Sequence, residues 1–319
     1  MKKIGILTSG GDCSGMNACI RSAVRTALRL NIEVVGVKKG YLGLIKGDHI
    51  KLDSKAVSGI MHRGGTFLQS ARSPEFRTPE GQEMALATLN ELQVDGLIIL
   101  GGDGSLSGAL ALHKLGVPVI GIPASIDNDI PFTDMSLGVD TALNNIIYAV
   151  DCIKDTASSH ARAFVIEVMG RNSGYLASVA AIASGAEYAL VPERSFDLSE
   201  ICQQLRHRFE EGRDNAIIIL AEGVAKGQDI ADSIKDAIGF ETRVTVLGHY
   251  QRGGAPTVFD RLLASRLGKK AVEMLVAGNH GMMVGLACNA IVATSLDDVI
   301  KGEKRPQDEM LRLAEVLGI

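Results

Sequence analysis

The chain has 319 residues, 46% of them apolar and 22% charged, and its formal net charge at pH 7 is −4. This composition supports a large core and excludes a disordered chain, and the acidic balance excludes a nucleic-acid partner that needs a basic face across the whole protein. Five scattered cysteines without a C-x-x-C pair predict neither a disulfide framework nor a zinc site, and the lack of a signal peptide or an apolar run of about 18 residues predicts a cytoplasmic protein with no membrane partner.

Short apolar runs rich in β-branched residues alternate along the chain with longer segments of helical period. The predicted strands lie at 3–8, 33–38, 96–100, 118–122, 163–168, 188–191, 216–220, 244–248 and 283–287. The predicted helices lie near 15–30, 80–93, 104–115, 138–157, 173–185, 198–211, 227–238 and 258–277.

This alternation is typical of βαβ units with right-handed crossovers. Strands that are apolar on both faces indicate parallel sheets covered by helices. Because the chain is longer than one core usually accommodates, the fold class is predicted as α/β with two lobes, each a largely parallel sheet sandwiched by helices. Pattern alone places the boundary between the lobes near residue 138.

Glycine-rich turns follow the first and third predicted strands, as TSGGD (8–12) and LGGDGS (100–105). In sheets of this type, ligands bind beyond the carboxyl ends of the strands. Glycines let the backbone approach a phosphate closely, and the following helix offers N–H groups and the positive end of its dipole. Either turn alone is better explained as a simple tight turn, but two of them in one lobe predict a polyphosphate held between them.

A dinucleotide-binding loop is the alternative for the second turn. Gly102, Gly104 and Gly108 come close to G-x-G-x-x-G with the third glycine one residue late, and the Walker A pattern occurs nowhere in the chain. Asp103 argues against a dinucleotide, because a carboxylate inside the turn repels a pyrophosphate unless a cation lies between them. Since Mg²⁺ typically binds one or two carboxylates together with phosphate oxygens, Asp103 is the predicted metal ligand.

The next strand end reads GIPASIDNDI (121–130), in which Ser125, Asp127 and Asp129 come at every second position. In extended backbone this spacing puts all three side chains on one face. Taken alone, the stretch is better explained as a polar turn. Beside the neighbouring glycine loop, it predicts a base for a phosphoryl acceptor, and the spacing leaves open which aspartate takes the proton.

Arginines flank the strands of the second half of the chain. Arg162 and Arg243 precede strands, whereas Arg171 and Arg252 follow them. Such a set in an acidic protein predicts an anion site, and Glu222 at another strand end suits a sugar hydroxyl. The combination predicts a phosphorylated polyol and a magnesium nucleotide as ligands. An NAD(P)-dependent dehydrogenase and a nucleotide sensor without catalysis are the alternatives from other classes.

A set of motifs carries a resemblance to a known family. They are TSGGD (8–12), GMNA (15–18), RGGT (63–66), SAR (70–72), GGDGS (101–105), IDND (126–129), EVMGR (167–171), FETRVTVLGH (240–249) and QRGG (251–254). Together they resemble the bacterial ATP-dependent 6-phosphofructokinases over nearly the whole chain. The resemblance implies the phosphofructokinase-like fold and transfer of phosphate from ATP to fructose 6-phosphate, the committed step of glycolysis.

By this resemblance, residues 1–138 with about 251–305 bind ATP, and residues 139–250 with about 306–319 bind fructose 6-phosphate. The residues it assigns to ATP are Gly11, Arg72, Ser73, Gly102, Asp103, Gly104, Ser105 and Gly108. Those it assigns to the sugar phosphate are Ser125, Ile126, Asp127, Arg162, Met169, Gly170, Arg171, Glu222, Arg243, His249 and Arg252.

The resemblance also assigns roles. Asp127 becomes the base for the 1-hydroxyl of the sugar, and the residues around the transferred phosphoryl group are Arg72, Ser125, Asp129 and Arg171. Arg162 and Arg243 reach in from a neighbouring subunit, which implies a homotetramer. Family members that use pyrophosphate tend to carry Asp in place of Gly104, so this glycine favours ATP.

The family's effector site binds ADP or phosphoenolpyruvate through basic residues. The corresponding positions here are Arg21, Arg25, Ser54, Lys154, Gly185, Glu187, Glu211 and Arg213. Ser54 replaces the usual Arg, Glu211 replaces a basic residue, and Gly59 replaces the usual Asp. Because lost positive charge removes charge-assisted hydrogen bonds to an anion, weak or absent allosteric control is predicted.

Overall fold

The computed structural model describes residues 1–160, 162–213, 215–238, 241–304, 306 and 308–318. The chain divides into two compact units: unit 1 consists of residues 1–141 and 252–304, and unit 2 of residues 142–251 and 305–319. Pattern and resemblance predict divisions near 138, 251 and 305. The assignment of ATP to one part and of a sugar phosphate to the other stays a prediction.

The strands of the described chain are short. They are β1 (Lys3–Thr8), β2 (Glu33–Val37), β3 (His49–Lys51), β4 (Gly96–Gly101), β5 (Val119–Pro123), β6 (Ala163–Val168), β7 (Tyr188–Leu190), β8 (Ala216–Ala221), β9 (Thr242–Val246), β10 (Met282–Ala287) and β11 (Ala290–Ser295).

The helices cover most of the connections between these strands. They are α1 (Met16–Arg29), α2 (Gly40–Lys46), α3 (Pro79–Glu91), α4 (Asp103–Lys114), α5 (Val139–His160), α6 (Tyr175–Ser184), α7 (Leu198–Glu210), α8 (Gly227–Ile238), α9 (Val258–Val276), α10 (Leu296–Lys301) and α11 (Asp308–Leu317). Short 3₁₀ turns occur at Glu75–Arg77 and Gly248–Arg252. None of the helices in the described ranges combines the length and the apolar character needed to cross a membrane.

Unit 1 is built on a seven-stranded sheet in the order β11-β10-β5-β4-β1-β2-β3. Its five central strands pair in parallel, whereas β3 and β11 pair antiparallel at the two edges. The strand β4 has the sequence GLIILG and is buried along its whole length, as the apolar run predicts. Parallel pairing aligns the carboxyl ends of β1, β4 and β5 along the same side of the sheet, and the loops that follow these strands begin there.

Unit 2 contains a four-stranded, fully parallel sheet in the order β7-β8-β6-β9. Its core includes buried Val165 of β6, Ile218 and Leu220 of β8, Leu205 of α7 and Ile234 of α8. The predicted α/β class, with two largely parallel sheets flanked by helices, is therefore confirmed.

The elements missing from the sequence prediction are β3, β11, α2, α10 and α11. Three of them, β3, α2 and α10, have only three, seven and six residues. The hairpin from β10 to β11 turns through Cys288 and Asn289, which have φ of 47° and 63°. A two-residue turn of this kind usually carries Asn-Gly or Asp-Gly, so Cys-Asn provided no hairpin signal. The helix α2 contains two glycines in seven residues, which weakens its helical propensity.

Candidate active site

The loops after three neighbouring strands of unit 1 lie side by side. Ser9 N donates to Leu100 O over 2.9 Å, and Ala124 N donates to Gly101 O over 3.0 Å. These backbone hydrogen bonds continue the parallel pairing of β1, β4 and β5 beyond the strand ends. The structure therefore brings together the two glycine turns and the aspartate-rich stretch that the sequence singles out.

The second glycine turn forms the N-terminus of α4. Gly102 is the N-cap, and its carbonyl accepts hydrogen bonds from Ser105 N and Leu106 N, both over 3.0 Å. Asp103 is the first residue of the helix, where its carboxylate lies at the positive end of the helix dipole and is exposed. A β-carbon at Gly104 would meet no atom of the described residues within 4 Å, so this side of the helix terminus is open.

Gly108 lies within α4, one position later than the third glycine of a G-x-G-x-x-G pattern. A β-carbon at Gly108 would lie 2.7 Å from Cζ and the hydroxyl of Tyr41. The ring of Tyr41 stacks on Phe76 with centroids 4.0 Å apart, and its hydroxyl donates to Ser105 O over 2.6 Å. Tyr41, stacked on Phe76, thus supports the glycine turn through its hydrogen bond to Ser105 O. Sequence reasoning missed both, because an isolated aromatic residue carries no signal of its partner.

The Ser125–Asp129 stretch is a turn and not extended chain. The backbone turns at 126–127, and Asn128 has a left-handed φ of 51°. The expectation that alternate residues share one face of a strand is therefore wrong. The turn still joins two of the three side chains, since Ser125 Oγ donates to Asp129 Oδ1 over 3.3 Å.

The two carboxylates of this turn differ in how deeply they are buried. Asp127 is 2% exposed, and its neighbours Ile126 and Asn128 are 1% and 2% exposed, whereas Asp129 is half-buried. Gly102 is close by, because a β-carbon placed on it would lie 3.8 Å from Ser125 Cβ. The helix terminus of α4 and the aspartate turn therefore occupy one edge of the sheet.

The segment that carries Arg72 and Ser73 is held against the first strand. Ser70 Oγ donates to Gly10 O over 2.6 Å, and Thr8 Oγ1 donates to Gln69 O over 2.9 Å. The Arg72 side chain is exposed, so it is available to an anion at the strand-end edge. Sequence reasoning found Arg72 through the SAR motif, but the role of Thr8 becomes visible only in the folded chain.

Arg252 lies at the first glycine turn of unit 1. Its Nη1 donates to Asp12 O over 3.2 Å. A β-carbon at Gly11 would lie 2.3 Å from the same Nη1, so only glycine permits the approach of this guanidinium. The structure therefore places Arg252 beside Gly11, which the resemblance assigns to the nucleotide.

In unit 2, the loop after β6 is organised by a carboxylate from the end of β8. Glu222 Oε1 accepts hydrogen bonds from Gly170 N at 3.2 Å and from Arg171 N at 2.9 Å. Gly170 has φ of 139° and Arg171 has φ of 52°, and a β-carbon at Gly170 would lie 2.4 Å from Ser173 O. Glu222, expected to accept from a sugar hydroxyl, thus also fixes the loop that carries Met169, Gly170 and Arg171.

A buried glutamine links this loop to the turn that carries His249. Gln251 is 1% exposed, accepts a hydrogen bond from Met169 N over 3.1 Å and donates to Gly248 O over 3.0 Å. The sequence prediction quoted Gln251 only as part of the QRGG motif. Its role was missed because burial of a polar residue between two strand ends has no local sequence signature. His249 itself is exposed.

The two arginines expected to reach a neighbouring subunit share one acid within this chain. Arg162 Nε donates to Glu241 Oε2 over 2.5 Å, and Arg243 also pairs with Glu241. Desolvation raises the pKa of Glu241, but the hydrogen bond from Arg162 and the charges of both arginines outweigh it and hold the pKa below its usual value. Arg162 is half-buried and Arg243 is exposed.

The residues at the expected effector positions fall into one group in each unit. In unit 1, Arg21, Arg25 and Ser54 line a cavity of about 720 Å³ together with Arg29 and Lys269. Burial and the neighbouring Arg25 lower the pKa of Arg21.

In unit 2, Lys154 Nζ donates to Ser184 O and would lie 3.9 Å from a β-carbon at Gly185. Glu187 Oε2 accepts from Ile217 N over 2.7 Å, so one of its oxygens is already engaged in the sheet. The remaining positions, Glu211 and Arg213, are exposed after α7. The weak or absent effector control expected from these positions stays a prediction.

The donor set for a metal ion is limited but suitable. Within the described ranges, no group of three or more His, Cys, Asp or Glu side chains is arranged to hold a metal ion. The exposed Asp103 offers one hard carboxylate beside a helix N-terminus. Mg²⁺ takes one or two carboxylates and completes its shell with phosphate oxygens and water, so this single acid fits an ion that arrives with a nucleotide.

The chain has two α/β units. One unit has an open helix N-terminus beside a buried aspartate, and the other has arginines at its strand ends. These features define a protein that binds phosphorylated ligands. The phosphofructokinase family model matches residues 3–275 of the chain. An ATP-dependent 6-phosphofructokinase from Natranaerobius thermophilus is 49% identical over 319 residues, which cover all of both chains. The chain belongs to the phosphofructokinase family, and the resemblance carried by its motifs is confirmed.

Solved structures agree with this assignment. Phosphofructokinase from Saccharomyces cerevisiae matches with a TM-score of 0.88 at 37% identity, over 94% of this chain and 45% of that chain. A pyrophosphate-dependent phosphofructokinase from Marinobacter aquaeolei gives a TM-score of 0.87 over 100% of this chain and 92% of that one. Because its identity is 22%, this second likeness shows the fold alone.

Proposed function

We propose that the chain phosphorylates fructose 6-phosphate at its 1-hydroxyl with ATP as the donor, giving fructose 1,6-bisphosphate and ADP. The full-length relative at 49% identity is named for ATP, which supports this donor. The observation that carries the proposal is the hydrogen bond from Ala124 N to Gly101 O. This contact sets a phosphate-binding helix terminus beside a turn with two carboxylates.

The nucleotide is proposed to bind at the N-terminus of α4 in unit 1. The open space at Gly104 and the N–H groups of the first turn suit its phosphates. Asp103 would hold Mg²⁺, which neutralises charge on the phosphate oxygens when bound. Arg72 would add a positive charge at the transferred group, where developing negative charge is stabilised.

Asp127 is proposed as the base. Its carboxylate takes the proton of the sugar's 1-hydroxyl, the oxygen attacks the γ-phosphorus, and the bond from that phosphorus to the bridging oxygen of ADP breaks. Burial to 2% exposure keeps this carboxylate away from bulk water, and its backbone belongs to the turn stabilised by Asn128. Asp129 and Ser125 support the turn through their mutual hydrogen bond.

Unit 2 is proposed to bind the sugar phosphate. The loop of Met169, Gly170 and Arg171 and the exposed His249 would contact the sugar. Arg162 and Arg243 would bind the 6-phosphate of a neighbouring subunit's substrate, in a cytoplasmic homotetramer. Glu241 now pairs with both arginines, so binding of a phosphate would exchange one anionic partner for another.

Allosteric control is proposed to be weak. Ser54 supplies no charge to the cavity that Arg21 and Arg25 line, and the ammonium of Lys269 in the same cavity pairs with Glu273 over 2.5 Å. Sub-millimolar phosphoenolpyruvate is expected to leave the rate nearly unchanged, and Ser54→Arg is the matched gain-of-charge variant. Strong inhibition of the unaltered protein would contradict this part of the proposal.

A coupled assay tests the activity directly. Fructose 6-phosphate is supplied with either Mg-ATP or Mg-pyrophosphate, and formation of fructose 1,6-bisphosphate is followed, with Asp127→Asn protein as the control for contaminating activity. Turnover with ATP and background rates with pyrophosphate are expected. Comparable or faster turnover with pyrophosphate would overturn the assignment of the donor.

A further inference from the structure

The loop that follows the aspartate turn, residues 128–136, is closed by the side chain of Asn128. Asn128 Nδ2 donates to Asp134 O over 3.1 Å, and its Oδ1 accepts from Ser136 N over 3.1 Å. Asn128 has a left-handed φ and is 2% exposed. Since it stands between Asp127 and Asp129 in the chain, its conformation sets the direction of both neighbours.

A lysine from the distant end of unit 1 reaches this loop. Lys304 Nζ donates to Asn128 Oδ1 at 3.0 Å, to Thr133 O at 2.5 Å and to Asp134 O at 3.1 Å. An ammonium group has three donors, and these three acceptors use all of them. Lys304 and Asn128 are 176 positions apart in the chain, so this contact depends entirely on the fold.

Packing around Lys304 brings its segment onto the same loop. A β-carbon at Gly302 would lie 2.8 Å from the ring of Phe132 and 3.1 Å from Pro131 Cγ. The backbone therefore passes close to Phe132 and Pro131 where the chain leaves α10. This close approach explains how a lysine two residues later reaches acceptors beneath the loop surface.

The far side of the loop is held independently by β10. Asp134 N donates to Leu286 O over 2.6 Å, and Leu286 N donates to Thr133 Oγ1 over 3.0 Å. These bonds fix residues 133 and 134 but do not reach Asn128. Asn128 reaches this anchored part through its own bond to Asp134 O, and Lys304 adds a second connection by donating to both Asn128 Oδ1 and Asp134 O.

The charge of Lys304 is consistent with such a role. Burial lowers its pKa to about 8, while the nearby carboxylates of Asp134 and Asp129 act in the opposite direction. The ammonium therefore stays charged at neutral pH, and the carboxylate of Asp129 is near enough to favour that charge. A half-buried cation that makes three hydrogen bonds to one loop stabilises a single arrangement of that loop.

We propose that Lys304 is a positioning residue for phosphoryl transfer, which acts through Asn128 to orient Asp127 and Asp129. The inference rests on the proposed function of the aspartate turn. Lys304 does not contact the reacting groups itself. Its loss displaces the base relative to the nucleotide, and a displacement of about 1 Å in a catalytic group can lower the rate by roughly 100-fold.

The experiment compares Lys304→Met with Lys301→Met, a matched control at the exposed end of α10. We expect Lys304→Met to lower kcat by about 10- to 100-fold. The KM for ATP should change by less than about twofold, because the hydrogen bonds described for Lys304 all go to residues 128–134 and not to the glycine turn of α4. Lys301→Met should retain the unaltered kcat. A kcat for Lys304→Met within about twofold of the control, or equal losses in kcat and ATP affinity, would overturn the proposal.

Asn128→Ala provides a second, independent variant that leaves Lys304 in place. It should lower kcat selectively as well, and the double variant should lose little more than Asn128→Ala alone, because Asn128→Ala removes the acceptor of Lys304 together with the bonds to Asp134 and Ser136. Effects that multiply in the double variant would show that Lys304 does not act through Asn128. If Lys304→Met does not fold, Lys304→Gln, which keeps a donor without the charge, is judged by the same kcat criterion.

Asp127→Asn distinguishes failure of this inference from failure of the proposed function. If Asp127→Asn is inactive while both Lys304→Met and Asn128→Ala keep normal kcat, the positioning role is wrong and the base assignment stands. If Asp127→Asn retains normal turnover, the base assignment fails, and the positioning role that depends on it fails too.

Discussion

The aspartate turn of unit 1 and the residues proposed for binding in unit 2 are held in different ways. In unit 1, Asp127 and Asn128 are nearly inaccessible and belong to a turn that is held by hydrogen bonds. In unit 2, Arg243 and His249 are exposed, and Arg243 is paired with an acid that a ligand can replace. Buried, fixed groups suit a step that requires accurate geometry, whereas exposed charges suit the capture of an anion.

This comparison predicts that changes in unit 1 alter kcat and changes in unit 2 alter KM. The largest effect is expected for Asp127→Asn, which removes the base but keeps the shape of the side chain. We expect kcat to fall by about three orders of magnitude or more with a modest change in KM for fructose 6-phosphate. Steady-state kinetics test this, with exposed Asp151→Asn as the control. Near-normal turnover would refute the base assignment.

The next largest effect is expected at Gly104. Gly104→Asp places a second carboxylate in the first turn of α4, beside the proposed phosphate site, and repulsion should lower kcat/KM for ATP by about 100-fold. Gly104→Ala is the matched control, because its β-carbon meets open space. If the aspartate variant uses ATP as well as the alanine variant does, ATP does not bind at this helix terminus.

Unit 2 should respond differently. Arg243→Ala is expected to raise the KM for fructose 6-phosphate by about 10-fold with kcat nearly unchanged, because an exposed charge contributes to binding equally in the ground and transition states. Lys235→Ala, which removes an exposed charge from α8, is the control. A fall in kcat as large as that of Asp127→Asn would contradict the expectation that changes in unit 2 act mainly on KM.

Sequence patterns predicted the strand ends because apolar β-branched runs and glycine turns are local features. The turns at 8–12 and 100–105 lie where the pattern placed them, and parallel pairing brings them together. The conformation of Asn128 was not predictable from alternation, since the strand ends at Pro123 and a left-handed residue lies between the two carboxylates.

Long-range contacts explain most of what sequence reasoning missed. Lys304 reaches Asn128 across 176 positions, and Gln251 reaches Met169 across 82. Both are polar side chains whose burial depends on elements far away in the chain. Neither composition nor periodicity contains that information, and lysine and glutamine are usually found at the surface.

The last prediction concerns stability and compares a half-buried cation with an exposed one. Burial lowers the pKa of Lys304 from 10.5 to about 8, against the influence of Asp134 and Asp129. Below pH 8 the folded and unfolded chains both hold this proton, so it causes no pH dependence of stability. Between about pH 8 and 10.5 the unfolded chain still holds the proton and the folded chain has released it.

Stability should therefore rise with pH in this window, by up to about 1.4 kcal/mol per pH unit, relative to a protein that lacks the group. The measurement is the free energy of unfolding in urea for the unaltered protein and for Lys304→Met between pH 7 and 10, taken as a difference so that other titrating groups cancel. The exposed Lys301→Met serves again as control and should show a constant difference. A constant difference for Lys304→Met as well would mean that the ammonium is not buried in the folded chain, and its hold on Asn128 would then be too weak to orient the aspartates.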